Sequence, residues 1–146
     1  MIPVKGLWRA LAAATVVCLV LAAPAQAAAP NYILVTGRGL AQPVLLANWQ
    51  ENLKLLLAVG NAPRARGRAA AGLAARPRFD LAEFWDWGSR PRPTSPAQAS
   101  QHGSFYPAHG LQPAVIVLTV QGITVPRLVP RFVLALFVRK GIPTRS

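Results

Sequence analysis

Both histidines of the chain and a serine share one short stretch, Gln101-His102-Gly103-Ser104-Phe105-Tyr106-Pro107-Ala108-His109, with Asp80, Glu83 and Asp86 upstream. Such residue types can be assembled into a Ser-His-carboxylate triad or a histidine and carboxylate metal site. The spacing supports neither. No G-x-S-x-G elbow surrounds Ser104, and His102 and His109 stand seven positions apart without a ligand-like pattern. A small secreted hydrolase using His102 or His109 with one of the four acids is therefore a rival reading, and no catalytic residue, metal ligand or cofactor site is assigned. Gly37-Arg38-Gly39 invites comparison with phosphate-binding loops, but neither the dinucleotide nor the Walker pattern is completed, so turn glycines are the preferred reading.

A second set of residues could bind rather than react. Trp85 and Trp87, with Phe84, Phe105 and Tyr106, could line a sugar- or peptide-binding surface, or they could be core. Strict strand alternation sends Phe79, Trp85 and Trp87 to one side and Phe84 to the other. Basic residues stand beside this aromatic island, and the candidate ligand surface is accordingly Trp85, Trp87, Arg64, Arg66, Arg68, His102 and Tyr106. Arginines and rings are adjacent rather than interleaved, and nucleic acid is not an expected partner.

The charge balance is 16 basic residues against four acidic ones, a formal +12. Thirteen of the basic residues are Arg, in a chain rich in Ala, Gly and Pro, a bias that GC-rich coding would also produce. If the charge is functional, it favours anionic partners such as wall polymers or lipid headgroups.

Location is the most legible property. Lys5 and Arg9 without an acid, an apolar run over residues 10–23, and the small-residue site Pro24-Ala25-Gln26-Ala27 follow the order of a secretory signal peptide. A spanning helix needs about 20 apolar residues, so a retained anchor is the weaker alternative. Cys18 lies inside the apolar run rather than after the cut, which disfavours lipidation. Cleavage after Ala27 removes Lys5, Arg9 and the only cysteine, leaving 14 basic residues against four acids and no possible intramolecular disulfide. The expected protein is secreted or held in the cell envelope.

The remaining residues, 28–146, suit one small domain. Tyr32-Ile33-Leu34-Val35-Thr36 and Pro43-Val44-Leu45-Leu46-Ala47 predict a hairpin. Asn48 with Glu51 three places on predicts a helix over 48–59, with Trp49, Leu53, Leu56 and Leu57 on its apolar face. Residues 61–78 read as a loose basic loop and 89–100 as a Pro-rich one. Phe79 to Gly88 reads as a strand, and Ala114-Val115-Ile116-Val117-Leu118-Thr119-Val120 as a strand buried on both faces. Pro130, Arg139, Lys140 and Gly141 frame a terminal helix over 130–140, whose nearly all-round apolar character leaves membrane association open. The expected architecture is α+β: a small mixed or antiparallel sheet of four to five strands with two short helices, after a cleaved N-terminal signal helix.

The segment Ile33-Leu34-Val35-Thr36-Gly37-Arg38-Gly39-Leu40-Ala41-Gln42-Pro43-Val44 resembles the opening of small secreted bacterial proteins of no known activity, which read I-x-V-x-G-x-G-L-x-x-P-V before a short helix. Gln101-His102-Gly103-Ser104-Phe105-Tyr106-Pro107 resembles a later aromatic strand in some of them. The resemblance implies export and a compact strand-rich fold, and carries over no catalytic residue. Together these features point to a noncatalytic binding or surface-interaction protein outside the cytoplasmic membrane.

Overall fold

The computed structural model describes residues 28–146; the expected signal helix, the anchor alternative and Cys18 lie outside them. Six strands form one sheet: β1 (Tyr32–Gly37), β2 (Val44–Leu46), β3 (Phe79–Phe84), β4 (Gln101–Tyr106), β5 (Val115–Val120) and β6 (Ile123–Leu128). Their order is β2-β1-β3-β4-β5-β6 and every neighbouring pair is antiparallel. The fold is α+β as expected, with six strands rather than four or five. The extra strand is β6, whose Pro126 obscures it in sequence. Proline is tolerated because β6 is the last strand of the sheet, its outer edge meeting only a short bridge at Arg64 and Arg127. β5 is flanked by β4 and β6; its Ile116, Leu118 and Val120 face the main core, while on the alternate positions Val115 is buried and Val117 and Thr119 are partly exposed.

Two α-helices lie within the described residues, α1 (Trp49–Gly60) and α2 (Arg131–Arg139). The Asn48 side chain caps α1 by accepting from the Glu51 amide at 3.1 Å. The buried stripe of α1 is Asn52, Leu55, Leu56 and Val59, a rotation from the expected face that leaves Trp49 and Leu57 about half exposed. A polar residue sets this rotation. The Asn52 amide nitrogen donates to the carbonyls of Pro30, Asn31 and Leu46 at 3.1–3.3 Å, and buried carbonyls left without a donor would each be costly.

α2 ends in a Schellman turn: Ile142 N donates to Phe137 O at 2.9 Å and Gly141 N to Val138 O at 3.1 Å. Gly141 takes φ 76°, a conformation that glycine adopts without strain, and buried Ile142 supplies the closing apolar contact.

Both helices contribute to one core with one face of the sheet. Ile33, Val35, Leu81, Phe105, Ile116 and Leu118 meet Leu55, Val59, Val133 and Phe137, and the Phe105 and Phe137 rings stand edge to face at 4.8 Å. Gly103 is required by this packing. A Cβ there would lie 2.4 Å from Leu118 Cδ2 and 2.5 Å from the Val117 carbonyl oxygen. Gly103→Ala is expected to cost about 1–3 kcal/mol by overpacking, read by chemical denaturation.

The opposite sheet face carries a smaller cluster, Leu34, Ala82, Phe84 and Trp87, beside the Pro-rich segment 89–100. Trp87 is held by Nε1 donating to Pro91 O at 2.7 Å and by its amide donating to Asn31 Oδ1 at 2.9 Å. Alternation fails beyond β3 because Asp86 takes φ 49°. The left-handed residue turns the chain, so Trp87 packs on Phe84 at 5.0 Å instead of opposing it, while Trp85 goes to the helix side.

The basic segment 61–78 is pinned rather than loose. Arg127 Nη1 donates to Ala62 O at 2.8 Å, Leu128 N to Pro63 O, and Ala65 N to Pro126 O, which dock the segment along β6. Arg76 anchors its other end, and two short 3-10 turns, Gly67–Ala69 and Leu73–Ala75, shape the span between.

Candidate functional site

Two features concentrate unsatisfied polarity. The first lies at the end of the sheet beside the first half of α1. Register places Glu83 of β3 opposite Ile33 on one side and Gln101 on the other, on the face that carries the main core. Glu83 is completely buried. Its Oε2 accepts from the Trp85 indole at 3.1 Å, and its Oε1 has no partner. Gln101 Oε1 and Asn52 Oδ1 are likewise buried without donors. Burial raises the Glu83 pKa from its ordinary 4.5 to about 7, outweighing the lowering from the Trp85 hydrogen bond. Glu83 itself lines no cleft; two clefts, of about 380 and 590 Å³, open over its neighbours, its hydrogen-bond partner Trp85 in both and its register partner Gln101 in the smaller. Ala28, Leu53 and Trp85 line both, Gln101 and Leu56 line the smaller one, and Trp49 and Asp86 the larger.

The second feature is a cleft of about 400 Å³ by the opposite end of β3, lined by Arg38, Arg76, Arg78, Asp80 and Tyr106. Arg38 comes from the β1–β2 turn, Arg76 and Arg78 from the approach to β3, and Tyr106 from the end of β4. Arg76 is only 7% exposed. Its Nη2 donates to Pro107 O at 2.6 Å and to Pro113 O at 2.8 Å, and its Nη1 to Ala69 O at 3.4 Å. Its Nε has no acceptor. Burial pulls its pKa down from the usual arginine value, with Tyr106 opposing, yet a guanidinium stays protonated at any biological pH. Arg78 Nε pairs with Asp80 Oδ1 at 3.1 Å, both half exposed, and Arg38 has no such partner among the described residues.

The structure separates most of the residues singled out in the sequence. Trp85 lines the two clefts that Ala28 also lines, while Trp87 is buried on the other face with Arg90 stacked 5.1 Å over its ring. Arg64, Arg66 and Arg68 are exposed on the docked segment, Arg64 bridging to Arg127. Tyr106 joins the arginine cleft. His102 is exposed near the start of β4 and His109 lies beyond its other end, with Nδ1 at 3.1 Å from Ser146 Oγ. Asp80 and Ser104 face each other across β3 and β4, yet Asp80 is held by Arg78 and, among the described residues, no hydrogen bond joins His102 to Ser104 or to a carboxylate. Among the described residues no group of three His, Cys, Asp or Glu could hold a metal ion, and no helix is long and apolar enough to cross a membrane.

The sequence offers Glu83 only as a carboxylate for a triad or metal site and Arg38 only within a turn, and gives no sign of the roles of Asn52, Gln101 and Arg76. A carboxylate between Ala82 and Phe84 in a strand pattern was the one available signal for Glu83: it occupies a core-facing register position. Arg76 carries no such mark, since it differs from its arginine neighbours only by what the fold brings to it.

No protein-family model, curated protein or solved structure matches the chain. What fold and site define, among the described residues, is an α+β domain with an open six-stranded antiparallel sheet, two α-helices on one face, a buried carboxyl at one end and an arginine-lined cleft at the other.

Proposed function

We propose that this protein is a noncatalytic binding domain, exported through residues 1–27, that holds an anionic polymer of the cell envelope in the cleft lined by Arg38, Arg76 and Arg78. One observation carries the reading: the cleft gathers the guanidinium groups of Arg38, Arg76 and Arg78 against a single carboxylate, Asp80, which Arg78 already holds, and guanidinium groups in excess of carboxylates gain most from anionic oxygens. Arg38 and Tyr106 add an uncompensated charge and a hydroxyl beside it, and the formal charge of +10 expected after removal of residues 1–27 would steer polyanions toward the surface.

The test is equilibrium binding of a fluorescent phosphodiester-backbone polymer at low and high salt, with anionic phospholipid vesicles as the second arm. Binding should weaken as salt rises, because the contacts are ionic. Arg38→Glu should weaken it roughly tenfold, about 1.4 kcal/mol. Asp80→Asn, which frees Arg78 from its exposed carboxylate partner, should tighten it a few-fold. Salt-insensitive binding, or none in either arm, would remove the reading; binding to vesicles alone would replace the polymer with a lipid surface.

A further inference from the structure

The buried Glu83 carboxyl is not used by the arginine cleft, and the residue standing at the mouth of both clefts beside it is Ala28, the first residue of the chain expected after cleavage. We propose that Glu83 is a receptor for the chain's own new N-terminus: cutting after Ala27 frees an α-ammonium on Ala28, which turns into the cleft and pairs with Glu83 Oε1. The proposal rests on the export reading of residues 1–27.

Three observations bring these groups together. Asn52 of α1 holds the carbonyls of Pro30 and Asn31, which draws the segment from Ala28 to Asn31 onto the helix side of the sheet, where Glu83 lies. Ala29 is buried there while Ala28 remains exposed at the opening. Behind Trp85 and Gln101, which line the cleft, lie two buried acceptors without donors, Glu83 Oε1 and Gln101 Oε1, and an ammonium that displaced the Trp85 side of this wall would supply three donors and a charge. While Ala28 is joined to residue 27 its nitrogen is a neutral amide with one hydrogen, which cannot serve both oxygens.

The groups that the fold sets against Glu83 are neutral: Ile33 of β1 and Gln101 of β4 in register, and the Trp85 indole. Glu51 and Lys54 of α1, and Asp86 beyond Trp85, do not contribute to the shift of its pKa. Nothing in place therefore compensates an ionised Glu83, and a free Ala28 amine would.

The experiment compares two recombinant chains, one starting at Ala28 and one at Gln26, each with Glu83 or with Glu83→Gln; both contain every element of the described fold. At pH 8 the chain starting at Ala28 should melt about 5 °C above the one starting at Gln26, and the gap should vanish with Glu83→Gln. Its α-amine should titrate above the ordinary value near 8 and return to it with Glu83→Gln, a readout that a merely structural glutamate would not move. Equal melting of the two chains, or a gap that survives Glu83→Gln, would overturn the pairing. Mass spectrometry of the exported protein's N-terminus tests the cut separately, and a start elsewhere than Ala28 would overturn the proposal for the native chain while leaving the recombinant result readable.

Discussion

Arg76→Ala is expected to destabilise the protein by about 3 kcal/mol or more and to loosen residues 61–78, measured by denaturant melts and by amide exchange along that segment. Its guanidinium makes three hydrogen bonds to carbonyls from three separate stretches, Ala69, Pro107 and Pro113. Hydrogen bonds involving a charged group contribute about 1.5–3 kcal/mol each, and truncation leaves acceptors buried without donors while opening a cavity. Desolvation of the charge offsets part of this, so the full sum is not expected. Arg76→Lys should recover only part of the loss, because a single ammonium lacks the fork that reaches Ala69 and the Pro107 and Pro113 pair together. Loss of stability in Arg76→Ala no larger than in Arg66→Ala, an exposed neighbour, would show that the anchor is idle. The same variant should abolish polymer binding, whereas Arg38→Glu should weaken binding with stability intact, which separates the anchoring role from the binding role.

Elements with a local signal were legible. The hairpin of β1 and β2, the Asn48 cap of α1, the Gly141 stop of α2 and the two-sided apolar run of β5 all declare themselves within a few residues, because capping, turn chemistry and burial on both faces leave compositional marks. What failed depended on partners far away in sequence. Asn52 rotates α1 by binding carbonyls 6 to 22 residues away, so the apolar stripe alone selected a face that leaves Trp49 and Leu57 in solvent. Segment 61–78 lacks the apolar residues to order itself, yet Arg76 ties it to the loop carbonyls of Pro107 and Pro113 and Arg127 of β6 donates to its Ala62 carbonyl. Asp86 breaks the alternation that placed Trp85 with Trp87, and aspartate is among the few non-glycine residues that tolerate φ above zero. The candidate sites fall in the same gap: a buried glutamate and a buried arginine are ordinary letters until the fold removes their water.

In a chain whose Ala28 nitrogen is an amide, stability is expected to fall as pH rises from about 4.5 to about 7 and then to level off. The unfolded chain carries Glu83 at its ordinary 4.5, and the folded one at about 7. Below both values the carboxyl is neutral in each state and no penalty arises. Between them the unfolded state has released a proton that the folded state still holds, so raising the pH favours unfolding. Above both values each state is ionised, and the penalty is constant at about 3 kcal/mol, taking about 1.4 kcal/mol per pH unit of separation. Glu83→Gln keeps the size of the side chain and a donor while removing the titration, so its stability should be flat over this range and should exceed that of the parent at pH 8. Urea melts at pH 4, 6 and 8 measure both curves; parallel curves would mean that Glu83 ionises in the fold as freely as in water. A free Ala28 ammonium should change the sign of the comparison, since an ionised Glu83 with a cation beside it is the stable state and the glutamine variant then loses the pair. The direction of the Glu83→Gln effect at pH 8 thus reports which form of residue 28 the protein carries: stabilising when its nitrogen is an amide, destabilising when it is an ammonium.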